Sequence, residues 1–308
     1  MSFDLKALNG SLWLMEPHRL KLAVQRALHL PCPSPRDLVA YRAERLALAR
    51  EAASKAIKSQ KGKVGVVPIW GPVEQRMSDR LWKNGGTSTE EVGVALDALL
   101  ADNSVSAIVL HVDSPGGSAY GTQELSDKIY AAREQKVVHA IADSMAASAG
   151  YWIASAANSL SVTPGGDVGS VGVYAMHIDE SKALEGEGIK VTAIHAGKYK
   201  VEGAWWDPLG EDARANFQAE VDHTYGKFVS ALARNRGVGK KRVEEDFGQG
   251  RLLNAEKALE AGMVDKILTF QELMSQLMGK GSEGKSAASV EVLRLRHEQA
   301  KRKFLLNV

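Results

Sequence analysis

"VSAIVLHVDSPGGSAYGTQELSDKIYAAREQKVVHAIADSMAASAGYWIASAA", residues 105–157, decides the fold class. It opens on a largely apolar, β-branched run that ends in the Gly116-Gly117 turn, the pattern of a buried strand. Helical spacing follows over 118–135, then a second apolar run, "KVVHAIAD", over 136–143. Small residues carry the chain through Ser148 into an apolar helix. Strand, turn, helix, strand, turn, helix predicts an α/β fold with crossover connections.

The same alternation extends in both directions. "VGVVPIWG" (64–71) reads as a strand, and 88–103 as a helix that starts on Ser88-Thr89-Glu90-Glu91, a capping-box-like signal. Residues 158–166 give a short strand and turn, and "GIKVTAIHAG" (188–197) a further strand. A long helix spans 210–236 with Phe217, Val221, Tyr225, Phe228 and Leu232 on one face. Residues 254–267 read as a short helix stopped by Gly262, then a strand. Upstream, 12–63 reads as helical with a break at Pro31, Pro33 and Pro35. The expected organisation is therefore a helical N-terminal extension (1–63), an α/β domain (64–278), and a linker with a basic C-terminal tail (279–308).

Net charge is +2 over 308 residues, but unevenly spread. Residues 1–63 hold 12 Lys/Arg against 5 Asp/Glu, 64–279 hold 20 against 29, and 280–308 hold 7 against 3. An acidic body with basic ends is more simply solvated helix faces than arms for an acidic partner, so nucleic acid is not expected as a partner. Cys32 is the only cysteine, which excludes an intrachain disulfide and a thiolate metal cluster. No signal-peptide pattern and no run of about 18 apolar residues is present, so a cytoplasmic protein without a membrane span is expected.

Three features could carry chemistry. In "DSPGG" (113–117), two adjacent glycines let backbone N–H groups point at a ligand and hold an oxyanion, although a tight turn alone needs the same residues. In "MAASAGYW", Ser148 has the small neighbours of a sharp strand-to-helix turn; Ser144 and Ser155 compete with it, and a packing serine is the blander alternative. A serine needs a base. His111, His139 and His195 fall in expected buried strands and His177 after another apolar run. Lys200 follows a glycine turn and precedes Trp205 and Trp206, which could desolvate it; Lys198 is the alternative.

"VGVVPIWGPV", "IVLHVDSPGGSAYGTQEL", "ADSMAASAGYWIASAANSLSVTPGGDVGSVGV", "HAGKYK" and "GQGRLLNAEKALEAGMVDKI" occur in that order. Together these blocks, over about 64–270, resemble the signal-peptide-peptidase-A (SppA) family of Ser/Lys peptidases. The resemblance implies a Clp-protease/crotonase-like fold of repeated ββα units, Ser148 as nucleophile and Lys200 as general base. It also implies oxyanion-hole N–H groups from Gly116 and Ala149, and no metal or organic cofactor. The helical extension with "LWLMEPHRLKLAVQ" resembles the phage branch, capsid-assembly or prohead-maturation proteases that cut scaffold and head proteins inside an immature shell. Members of the fold often form rings, so a homo-oligomer is expected. A cellular SppA-like peptidase, a crotonase-type acyl-CoA enzyme and a non-catalytic assembly protein are the alternatives.

Overall fold

The apolar runs of the sequence are realised as a mostly parallel sheet, seen in a computed structural model that describes residues 12–15, 35–54, 57–59, 62–76 and 85–279. Its first elements are β1 (Leu12–Met15), α1 (Pro35–Ser54) and β2 (Ile57–Ser59). Then come β3 (Gly62–Trp70), β4 (Val73–Glu74), β5 (Thr87–Ser88), α2 (Thr89–Ala101), β6 (Val105–Ser114) and β7 (Gly116–Ser118). They are followed by α3 (Thr122–Ala132), β8 (Val137–Ala147), α4 (Ala149–Ser155), β9 (Ser159–Val162), β10 (Asp167–Gly169) and β11 (Tyr174–Ala175). The last elements are α5 (Ser181–Gly186), α6 (Glu211–Arg236), α7 (Lys240–Asp246), β12 (Leu252–Asn254), α8 (Ala255–Ala261), β13 (Lys266–Ile267) and α9 (Phe270–Met278).

The main sheet runs β12-β10-β8-β6-β3-β2, with β3, β6, β8 and β10 parallel and β2 and β12 antiparallel at its edges. Strand β8 forks: His139–Ala142 pairs with β9, and Met145–Ala147 pairs with β10. Ser144, at φ +86°, lies at the fork, where the β6–β8 register also shifts. Such a kink re-aims the rest of the strand. A second, smaller sheet has the order β11-β1-β7-β4-β5.

Both faces of the main sheet are covered, which is why its strands read as near-continuous apolar runs. Ile108, Leu110 and Val112 of β6 join Leu96, Leu99, Ile129, Trp152 and Phe228 on one side. Val109, Val64 and Ile141 meet Phe270, Leu273 and Met274 of α9 on the other. The α/β expectation is met, and the helices over 88–103, 118–135, 210–236 and 254–261 are present. Ser88 caps α2 by accepting from the Glu91 amide, and Asn254 caps α8 by accepting from the Lys257 amide. Gly262, at φ +79°, ends α8.

Two sequence expectations are corrected. Residues 12–63 are not helical throughout: Leu12–Met15 is a strand fixed by backbone pairing to distant β7 and β11, and Ile57–Ser59 is a strand in a tight antiparallel hairpin with β3. The expected strand over 188–197 is absent; every residue from 185 to 200 is exposed, because no sheet edge within the described residues pairs with it. Cys32, the linker over 279–289 beyond Gly279, and the rest of the basic C-terminal tail lie outside the described residues.

Buried polar contacts also tie the helices and loops together. Asn235 of α6 donates to the Ser155 Oγ at 2.9 Å and the Ser126 Oγ at 3.4 Å, joining α6 to α4 and α3. Arg45 of α1 pairs with Glu91 of α2 at 2.7 Å. Burial pushes the Glu91 carboxyl up, and Arg45 offsets only part of that. Arg236 pairs with Asp265 at 2.6 Å, and the Asp265 carboxylate also accepts from the Leu160 amide at 2.7 Å. Burial alone would raise Asp265, but these hydrogen bonds outweigh it and hold the carboxyl below its usual range.

A depressed carboxyl contributes stability above its unfolded pKa and loses it as pH falls through the folded one. Asp265→Asn is therefore expected to lower unfolding stability at pH 7 by roughly 1–2 kcal/mol, below the usual cost of breaking a buried pair because one side of the carboxylate is open to solvent. Urea titrations at pH 7 and near pH 3 should show the gap to wild type shrinking at the acid end.

Candidate active site

Ser148 stands between the last residue of β8 and the first of α4, with φ +51° and ψ −114°. That conformation is costly for a residue with a Cβ, by roughly 1–3 kcal/mol. The surrounding backbone holds it: the Ser148 amide donates to the Gly169 carbonyl at 2.7 Å, and its carbonyl accepts from the Trp152 amide at 2.9 Å. Helix α4 is itself buried along its whole length, and Trp152 stacks on Phe228 with centroids 4.5 Å apart. The residue is 1% exposed, and its hydroxyl does not cap the helix it precedes. A serine at a helix start ordinarily makes that cap. Here the hydroxyl is held out of it.

The competing serines have other work. Ser155 donates to the Trp152 carbonyl at 2.7 Å and accepts from Asn235, so it is a packing residue. Ser144 is the exposed kink of β8.

The glycine turn lies against this elbow. Ser114 is registered with Ala146, two residues before Ser148. Its Oγ donates to the Gly71 carbonyl at 2.7 Å and accepts from the Gly116 amide at 3.1 Å. Gly116 needs φ +95°. Gly117 needs to lack a Cβ, since one there would lie 1.8 Å from the Val73 carbonyl oxygen. A Cβ on Gly150 would lie 3.0 Å from the Ser114 Cβ, so strand β6 and helix α4 are in contact at this point. Ala149, fully buried, is the first residue of α4, where an amide has no acceptor within its own helix. The four features, Ser148, Gly116, Ala149 and the helix start, converge on one end of the sheet.

Lys200 is placed differently. It is exposed, it makes no hydrogen bond to Ser148 among the described residues, and the expected shielding by Trp205 and Trp206 is not present. Those rings pack edge-to-face on each other, 5.5 Å apart. Lys198 donates to the Tyr199 hydroxyl at 2.8 Å and lies 4.6 Å from that ring. The segment from 185 to 200 exposes Ile189, Val191 and Ile194, the last at 98%.

One pair of titratable groups was not legible in the sequence. His111 Nε2 lies 2.7 Å from the Asp143 carboxylate, and its ring stacks on Phe270 at 4.4 Å. The hydrogen bond from His111 holds the Asp143 carboxyl below its usual range. This pair packs against α9, in the layer across the sheet from α4. His139 bonds Ser159 Oγ at 2.7 Å and is lowered by burial and by Lys266. His195 is exposed rather than in a strand, and His177 meets the Ala204 carbonyl at 3.2 Å. Among the described residues no group of three or more His, Cys, Asp or Glu is placed to hold a metal. No described helix is long and apolar enough to cross a membrane.

Comparison with known proteins gives a consistent picture. Residues 130–282 match the model of peptidase family S49, a segment that includes Ser148, Ala149 and Lys200. The head-tail preconnector protein GP5 of Enterobacteria phage P21 is 28% identical over 212 residues, 69% of this chain and 42% of that protein. The capsid assembly protease C of Escherichia phage lambda is 29% identical over 212 residues, 69% of this chain and 48% of the relative. Protease 4 of Haemophilus influenzae is 28% identical over 215 residues, 70% of this chain and 34% of the relative. The chain thus spans less than half the length of each of these three relatives.

Proposed function

Taking as premise that residues 130–282 carry a peptidase family S49 domain, we propose that this protein is a serine endopeptidase with Ser148 as its nucleophile. The observation that carries the reading is the strained Ser148 elbow, its hydroxyl withheld from helix capping, set against the Gly116 turn. In this reaction the Ser148 Oγ attacks the scissile carbonyl carbon while its proton passes to a neutral Lys200 Nζ. The carbonyl oxygen becomes an oxyanion held by the Gly116 and Ala149 amides, the substrate displacing Ser114 Oγ as acceptor for Gly116. Collapse of the tetrahedral intermediate breaks the C–N bond, and Lys200 returns the proton to the leaving amine. Water then releases the acyl group. The peptidase domain in this reading is 64–278, since Ser114 and Gly116 lie outside the S49 match yet Ser114 touches Gly150 of the helix that Ser148 starts.

Lys200 must approach Ser148 to serve as base, within about 2.6–3.2 Å. The segment that carries it is exposed from 185 to 200. The apolar side chains it presents, Ile189, Val191 and Ile194, support docking on a second copy of the chain, and so a homo-oligomer. The relatives named for capsid assembly and head-tail connection support scaffold and capsid proteins as substrates, cut inside a phage prohead in the host cytoplasm.

The test is to incubate the protein with purified candidate scaffold and capsid proteins and with casein, and to map cut sites by mass spectrometry. A fluorophosphonate probe, which acylates activated serines, should add to Ser148 and not to Ser144 or Ser155. Adduct on either of the other two serines, or no cutting of any protein, would sink the reading.

A further inference from the structure

Strand β1 comes from the far end of the chain, yet it fills the space between β7 and β11. It is antiparallel to both: Met15, Leu14 and Trp13 lie opposite Gly116, Gly117 and Ser118, and Trp13 and Leu12 lie opposite Tyr174 and Ala175. Two features of this placement matter. The slot is one strand wide, since each neighbour sits about 4.8 Å away in the hydrogen-bonding direction. And β1 runs toward the glycine turn, ending with Met15 opposite Gly116, the residue whose amide the reading above assigns to the oxyanion. An extended peptide that pairs with β7 antiparallel, as β1 does, runs toward the turn and reaches that amide.

We propose that residues 12–15 are an autoinhibitory strand, filling in substrate polarity the peptide slot beside Ser148. The inference rests on Ser148 being the nucleophile and deepens that reading: the ligand class of the slot is an extended peptide, and its resident occupant is the chain's own N-terminal segment. Substrate enters by displacing β1. The sequence beyond the strand continues Glu16-Pro17, and Pro17 has no N–H to donate.

Proline tests this in the full-length chain. Neighbouring N–H groups of a strand point to opposite sides, so Trp13→Pro and Leu14→Pro each remove a backbone donor, one facing β7 and the other β11. Two readouts separate this inference from the assignment of activity. On fluorescein-casein, both variants should show KM lowered about tenfold with kcat unchanged, the pattern of a lost competitive blocker. In direct binding, a fluorescein-labelled peptide GSLWLMEP, copied from residues 10–17, should bind both variants at least tenfold tighter than wild type. It should do the same when Ser148→Ala is added to all three chains. Equal binding to wild type and both variants overturns the inference, whatever happens to casein. Casein left intact by every chain would sink the peptidase reading, while the binding series still decides whether β1 occupies a peptide slot. Cleavage of the wild-type chain between Met15 and Pro17 would also overturn the blocking role, because the strand would then be a substrate.

Discussion

Replacing Ser148 with alanine is expected to lower the rate of protein cleavage by about a million-fold, the scale of loss when a hydrolase loses its nucleophile. The fold should be unaffected. Alanine has the same Cβ and endures the same φ of +51°, and the hydroxyl it lacks caps nothing. Glycine at the same position separates chemistry from strain. Ser148→Gly should be as inactive as Ser148→Ala but more stable by about 1 kcal/mol, because glycine adopts positive φ without steric cost. Urea unfolding of the three proteins, read beside their casein rates, gives both numbers. A Ser148→Gly chain no more stable than Ser148→Ala would mean that the elbow stores no strain. Ser155→Ala offers the opposite pattern: it leaves the Asn235 amide without its 2.9 Å acceptor, so it should cost stability and spare activity at low temperature.

The second large effect is at Lys200. Its replacement by alanine should cost roughly 100- to 10,000-fold in kcat/KM, the range for removing a general base. Lys198→Ala should stay within about threefold of wild type, since Lys198 is engaged with the neighbouring Tyr199 ring and hydroxyl. The reverse order of effects would transfer the role to Lys198. Because Lys200 is exposed on a segment that pairs with no strand among the described residues, a mixing experiment adds information. Ser148→Ala and Lys200→Ala chains, each inactive, regain activity on mixing if the lysine of one copy serves the serine of another. No recovery assigns both groups to one chain.

How much of this was readable from the sequence follows from which residues decide each element. Strands β3, β6 and β8 and helices α2, α6 and α8 announce themselves through buried apolar runs, caps at Ser88 and Asn254, and the stop at Gly262. These are local signals. The "LWLM" strand is not: it is four residues long, and its partners at Gly116–Ser118 and Tyr174–Ala175 are remote in sequence. The pattern over 188–197 records a need to bury Ile189, Val191 and Ile194 without saying against what, and among the described residues nothing meets it. The His111–Asp143 pair joins residues 32 positions apart through the parallel register of β6 and β8, which no spacing rule anticipates. For the site, the residue types at 116, 148 and 149 were legible, whereas the register that sets Ser114 beside Ala146 was not.

The contact between Gly150 and Ser114 has a further consequence. The two amides assigned to the oxyanion belong to separate elements, one at the start of strand β7 and one at the start of helix α4. The gap between them is gauged by an absent methyl group. An added carbon at 150, 3.0 Å from the Ser114 Cβ, would work as a shim. Moving the helix start by a few tenths of an ångström would widen the jaws that grip the transition state, while the buried layers behind them stayed closed. Tolerance for error at this site is therefore narrower than the stability of the fold would suggest, and it is set by a residue that does no chemistry.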